Sequence, residues 1–328
     1  MKKLGAIFLI SLLAASVVWA DDIYVSCRGT KSIIKISGDT VSTFAICKDV
    51  SFGLAKDRFG NLYLSDPGTN EILKYAWVDG ALSAKPTVFA SDLNAPGDLV
   101  FDHSGNLYEV EASGNINRFV FSEGTLSQRP ERFIDASPEH ANLVGNRVPS
   151  NLAFDLQGNL YVSICIGGIL KFTNTKAGLS NLPDKKPFST VSRARQMAFD
   201  QQGNLFTTNH LAGEICVYKY PKHVSGLSGK PEIFSVENGL DAPIGVAIDS
   251  EGNLYVSNWG YGNGMDVLEY PNHKGVLDSS PLFLKSDLAV PIGLWCIRPG
   301  PEPTPAVDLP KKVKASKPPS AQSVRSSG

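Results

Sequence analysis

The chain has 328 residues, 42% hydrophobic and 19% charged, with a formal net charge of −1 at pH 7. That balance argues against a polybasic nucleic-acid binder and against a highly charged chain that cannot form a core. The five cysteines (Cys27, Cys47, Cys165, Cys216 and Cys296) show no C-x-x-C spacing, which argues against a zinc cluster.

In chain order, Lys2 and Lys3, the apolar run Ala6 to Leu13 and the segment "AASVVWA" read as a secretory signal peptide over residues 1–20, with Val18 and Ala20 before the cut. The apolar stretch falls short of the ~20 residues a spanning helix needs, so no membrane span is expected. The predicted destination is secreted or periplasmic. After the cut, "DIYVS", "SIIKIS" and "VSTFAI" are three short β-branched runs, read as a second, third and fourth strand that lack their first.

The pattern D-x-x-G-N-L-[YF] then recurs at Asp57–Tyr63, Asp102–Tyr108, Asp155–Tyr161, Asp200–Phe206 and Asp249–Tyr255, with steps of 45, 53, 45 and 49 residues between its glycines. Such self-similarity marks a radial or linear repeat architecture. The fifth copy shows the unit: "IGVAI", a "DSEG" turn, "NLYVS", a looser loop, "VLEY", a connector and "LFLK". Asp caps turn amides and Gly supplies the positive φ. Four short strands per repeat, apolar on both faces, predict an all-β fold in which neighbouring blades bury one another. The connector G-x-L-S-x-x-P-x-x-F returns as "GALSAKPTVF" and "GTLSQRPERF", and in shortened form as "GLSGKPEIF".

At the far end "PIGLWCI" is a first strand without a second, with Gly293 48 residues after Gly245. It completes the split blade opened by "DIYVS". The prediction is a six-bladed β-propeller of four-stranded antiparallel blades over residues 21–298, closed by one blade shared between the two ends and carrying a net charge of −6. Residues 299–328, with seven prolines and no aromatic residue, are expected to be a disordered, basic tail. An acidic body with a short basic tail predicts no nucleic-acid partner, and a monomer is expected.

With its P-x-G-[VL]-A-x-D-x-x-G-N-[LIV]-Y-V-[SAT] pattern, "IGVAIDSEGNLYVSN" resembles the NHL repeat, and the resemblance covers about residues 21–298. It implies the propeller fold and leaves function open, since similar propellers serve as protein- and RNA-binding platforms, sugar-lactone hydrolases, amidating lyases and exported proteins of unknown role. In the similar gluconolactonase and regucalcin propellers, Glu, Asn and Asp residues at the channel mouth hold a divalent metal. The corresponding positions here are Phe52, Gly97, Ser150, Arg195, Ile244 and Ile292, none of them a carboxylate or Asn. The five histidines lack zinc spacing and the His-rich channel of the similar lyases. Ser163 and Ser257 are repeat-consensus residues, for which a structural role is expected.

Two irregularities remain. Glu109 stands where the other copies have Leu64, Val162 and Val256, and it must either stay protonated or find a partner. A structural salt bridge with Arg118 or Arg147 is expected ahead of a functional acid. Polar residues also gather at one mouth. Asp66, Asp98, Glu111, Asn151, Gln196, Asn209, His210 and Asn258 fall near the mouth positions, with Trp259 and Tyr261 on the glycine-rich "NWGYGNG" loop beside them. A polar arc beside aromatic rings suits a binding scaffold for a protein or a glycan, with no cofactor. The alternative is a metal-dependent lactonase-like hydrolase with a displaced site around Asp98, Glu111 and Asn151, and only this reading calls for Ca²⁺. For the cysteines, strand register rules out Cys27–Cys296. Any intrachain disulfide is expected to be Cys27–Cys47, with Cys296 a buried thiol.

Overall fold

The computed structural model describes residues 21–135, 149–165, 167–191, 193–221, 226–234, 240–260, 265–285 and 288–299. The expected signal peptide, all but the first residue of the expected tail, Arg147 and Tyr261 lie outside the described residues.

Six antiparallel blades ring a central channel, and the described residues contain strands and no helix. The innermost strands of blades 1 to 5 are Leu54–Lys56, Pro96–Phe101, Pro149–Phe154, Ala194–Phe199 and Pro243–Ile248. Each pairs outward with a second and a third strand, and four of the five add a fourth. In blade 3 the fourth strand is reduced to one bridge between Ile169 and Ser189. In blade 6, Pro291–Ile297 pairs with Asp22–Cys27, followed by Ser32–Ser37 and Thr40–Ile46. The ends of the propeller thus share one blade, as expected from "DIYVS" and "PIGLWCI". Asp21 fastens the joint below: its carboxylate accepts the Ser250 amide of blade 5 at 2.6 Å and pairs with Arg298 at 3.4 Å.

The repeated motif is a local hydrogen-bond device. Asp57 Oδ1 accepts the amides of Phe59 and Asn61, and Oδ2 accepts Asn61 Nδ2 at 2.7 Å. Asn61 Oδ1 in turn accepts the Trp77 amide, just past the third strand. The same Asn-to-amide bond recurs at Asn106, Asn159, Asn204 and Asn253. The motif glycines have φ between 79° and 91°, a region open to Gly at little cost.

Blades adhere through the second strands, whose residues are buried on both faces in Leu62–Asp66, Leu107–Glu111, Leu160–Ile164 and Leu254–Asn258. The motif tyrosine of one blade meets the phenylalanine ending the next inner strand, edge to face: Tyr63–Phe101, Tyr108–Phe154 and Tyr161–Phe199, at 5.2–5.4 Å.

The cysteine expectation needs correction. All five are free thiols. Cys27 packs with Ala247, Tyr255 and Leu288 on the blade 5 side, whereas Cys47 packs with Leu54, Leu62 and Leu64 on the blade 1 side. The two thiols lie on opposite faces of blade 6 and cannot bridge. Burial pushes them up, Cys27 to about 11 and Cys47 to about 12, so both are poor nucleophiles. Cys27 pairs with Pro291, and Cys296 with Ile23. The offset between Cys27 and Cys296 is therefore larger than strand matching predicts, and Cys296 is half-buried rather than buried.

Candidate functional site

The inner strands begin at the upper channel mouth and end at the turns of the lower mouth. Blades 2 to 6 each open with a β-bulge. In blade 5, for example, Asn258 pairs with Pro243 and Ser257 with Gly245, leaving Ile244 as the extra residue. Register shifts of the same kind fall around Gly97, Ser150, Arg195 and Ile292. A bulge re-aims side chains and breaks the alternation of faces, so the residues that follow it point across the channel wall.

Three of those residues stitch the ring together. An inner strand presents unpaired amides to the channel, as any sheet edge does. Asp98 Oδ2 accepts the Leu152 amide of blade 3 at 2.7 Å and Asn151 Nδ2 at 2.8 Å. Asn151 Oδ1 accepts the Met197 amide of blade 4 at 2.8 Å. Gln196 Oε1 accepts the amides of Val246 in blade 5 and Leu294 in blade 6, while its Nε2 donates to Leu294 O at 2.6 Å. Glycine holds the three remaining equivalent positions, where blades approach closely; a Cβ on Gly53 would collide with the carbonyl oxygen of Gly97. Burial pushes the Asp98 carboxyl up to about 8, against the pull of its backbone donors.

Glu109 is fully buried. The expected salt bridge to Arg118 does not form, because Arg118 pairs with Glu131 at 2.8 Å. Instead Asn117 Nδ2 donates both to Glu109 Oε2 (2.8 Å) and to Glu111 Oε1 (2.9 Å), and Glu111 Oε2 accepts from Arg132, Asn115 and Ser113. Glu109 Oε1 has no partner, and burial pushes this carboxyl up to about 8. Glu111 titrates below the usual range, its four donors outweighing its burial.

The remaining mouth residues are also engaged. Asp66 caps the Lys48 and Gly68 amides, and Asn258 bonds Asp266 and the Asp241 amide. Asn209 reaches Glu214 at 3.4 Å, and His210 Nδ1 lies 3.2 Å from Ala242 O. Ser163 Oγ donates to Arg195 O of the next blade, and Ser257 Oγ accepts the Gly245 amide within its own, so both consensus serines are structural. Of the displaced lactonase group, Asp98 and Asn151 touch, but all the donors to Glu111 come from other residues. Among the described residues, no three His, Cys, Asp or Glu side chains converge as a metal site would require.

Trp259 is different. It joins an apolar plug of Val50, Ile244 and Ile292 at the upper mouth, with its ring 6.0 Å from that of His210 and 5.3 Å from the Arg28 guanidinium carbon. A feature the sequence reading missed lies at the other mouth. There a cavity of about 1270 Å³, walled by Arg58, Phe59, His103, Phe121 and Trp295, climbs the channel as far as Asp98, Asn151 and Gln196.

No family model matches the sequence, and no curated protein matches it. Solved propeller structures do. A structure from a nidogen/laminin complex covers 84% of this chain and 97% of its own, at 17% identity and a TM-score of 0.56. A gluconolactonase from Xanthomonas campestris covers 86% and 93%, at 15% identity and 0.53. Virginiamycin B lyase from Staphylococcus aureus covers 84% and 88%, at 14% identity and 0.52. The likeness is one of fold. It spans a binding propeller and two enzymes, so it assigns the architecture and leaves the activity to the site.

Proposed function

We propose that the chain is an exported propeller of the NHL-repeat kind that works as a binding scaffold, taking a protein or glycan ligand at its upper face. The observation behind this reading is the contrast at that mouth. Its carboxylates and amides are consumed by capping and stitching, whereas Trp259, flanked by Arg28 and His210, packs on an apolar plug between blades. Large aromatic and arginine side chains held in one conformation are what binding surfaces use as anchors. The lactonase reading has only the likeness of fold behind it. Export rests on residues 1–20; among the described residues, no helix is long and apolar enough to cross a membrane.

Capture from cell-envelope extracts tests the proposal. The wild-type chain should retain a ligand that Trp259→Ala loses by tenfold or more, a loss of about 1.4 kcal/mol, with the melting transition of the variant retained. Equal capture by both proteins would remove the upper face from consideration.

A further inference from the structure

Three arginines lie around His210 and Trp259 at the upper mouth. Arg195 is the bulge residue of the blade 4 inner strand, so its side chain is aimed by the bulge, and Ser163 holds its carbonyl at 2.8 Å. Its Nε is buried and has no partner. Arg193, two residues earlier at φ 60°, offers its carbonyl to the His210 amide at 3.4 Å. His210 links these arginines to Trp259: burial, then Arg195, lower its proton affinity, and its ring stands 6.0 Å from the indole. Arg28 approaches the same indole from blade 6. Among the described residues none of the three arginines has an ion pair. They sit unpaired on a body whose net charge over residues 21–298 is −6.

We infer that this mouth is an anion site and that its occupant is an acidic sugar, bound through its carboxylate. This rests on the binding-scaffold reading and names the ligand class. The orphaned Nε is closed to solvent, so a carboxylate meets the outer guanidinium nitrogens of Arg195, which have no ion pair among the described residues. The guanidinium fork matches the two oxygens of a carboxylate. Beside Arg195, the half-buried indole of Trp259, backed by the buried Ile244 and Ile292, offers apolar surface to the C–H face of a sugar ring. A compact, fully hydrated anion has no use for that surface. The same charges repel a divalent cation from the place where similar lactonases hold one.

Titration calorimetry at low salt tests this with D-glucuronate and tri-galacturonate as probes, against D-glucose, inorganic phosphate and tetraglutamate. Both uronates should bind, with added salt weakening them. Tighter binding of the trimer would make the source a polymer, and equal binding a free sugar acid; either supports the site. Arg195→Gln should weaken binding roughly 10- to 100-fold, as expected for loss of one charged hydrogen-bonded pair. Arg195→Lys should fall between, and Arg28→Gln should lose less. If Arg195→Gln does not fold, the lysine variant and Arg28→Gln carry the test, and unchanged affinity in both contradicts it. Absence of uronate binding, glucose binding as tightly as glucuronate, or phosphate or tetraglutamate binding as tightly as either uronate would overturn the inference. If envelope capture still depends on Trp259 after such a result, the inference alone fails and the scaffold reading stands.

Discussion

Deleting residues 292–298 abolishes cooperative folding, while deleting 301–328 leaves the melting transition where it was. The first deletion removes the inner strand of blade 6, which pairs along Asp22–Cys27 from Asp22↔Ile297 to Ser26↔Gly293. Leu294 is fully buried, and its amide and carbonyl are both bonded to Gln196 across the channel. Ile292, Leu294 and Ile297 all pack in the core. Truncation of one such side chain costs roughly 2–5 kcal/mol. Losing the strand therefore matches or exceeds the ~5–15 kcal/mol that stabilises a typical domain. It also exposes Asp22–Cys27 as an open edge. The tail expectation comes from composition alone, since its seven prolines and lack of aromatic residues leave no core to disturb. Thermal denaturation followed by circular dichroism separates the outcomes, and a cooperatively folding 1–291 fragment would show that the ring does not close through this blade.

A second large effect is a loss of stability as pH rises from about 5 to about 8. Asp98 and Glu109 are both pushed up to about 8 by burial, well above their unfolded values. The folded state therefore holds two protons that the unfolded state has already released in this window. Stability from these groups is fully present below pH ~4 and is lost as pH passes through their folded values, at up to ~1.4 kcal/mol per pH unit for each group. Glu111 and His210 run the other way. Glu111 loses its contribution in acid below its ordinary range, and His210, its proton affinity lowered, adds stability as pH rises toward 6.5. The window therefore starts at about pH 5, and the fall is steeper in its upper half. Asp98→Asn keeps an acceptor for the Leu152 amide, and Glu109→Gln keeps one for Asn117. Both variants should flatten the slope and exceed the parent in stability at pH 8 by about 1 kcal/mol or more. Denaturant melts at pH 5, 6.5 and 8 provide the comparison. A parent as stable at pH 8 as at pH 5 would mean these carboxyls are more solvated than their burial implies.

The sequence announces the blades because each motif residue acts within its own turn. Asp57 caps amides two and four residues on, Asn61 reaches the strand it precedes, and Gly60 takes the φ between them. Such short-range chemistry leaves the same letters in every copy. Blade 6 was legible for a similar reason: two incomplete units of matching length stand at the two ends.

The channel was not legible. A single extra residue at Ser150, Ile244 or Ile292 leaves no trace in the pattern, because P-x-G reads the same whether or not its middle residue pairs. Strict alternation of faces then gives the wrong partner for Cys27. It also fails to place Asp98, Asn151 and Gln196, which look like exposed polar residues and prove to be cross-blade stitches. Glu109 shows the same limit. Its charge calls for a partner, and the nearest arginine in sequence is taken by Glu131, whereas Asn117 faces it across the adjacent strand.

Calcium titration tests the central claim, that the channel residues hold the ring and the upper mouth binds a ligand without metal chemistry. Asp98 and Asn151 bond to each other and to backbone amides, and Arg195 falls in the bulge at the mouth of the blade 4 inner strand. The prediction is no saturable calcium binding at micromolar concentration and the same melting temperature in calcium as in chelator, because only a ligand that prefers the folded state raises it. Micromolar binding that Asp98→Ala abolishes would contradict the account and favour the metal-dependent hydrolase.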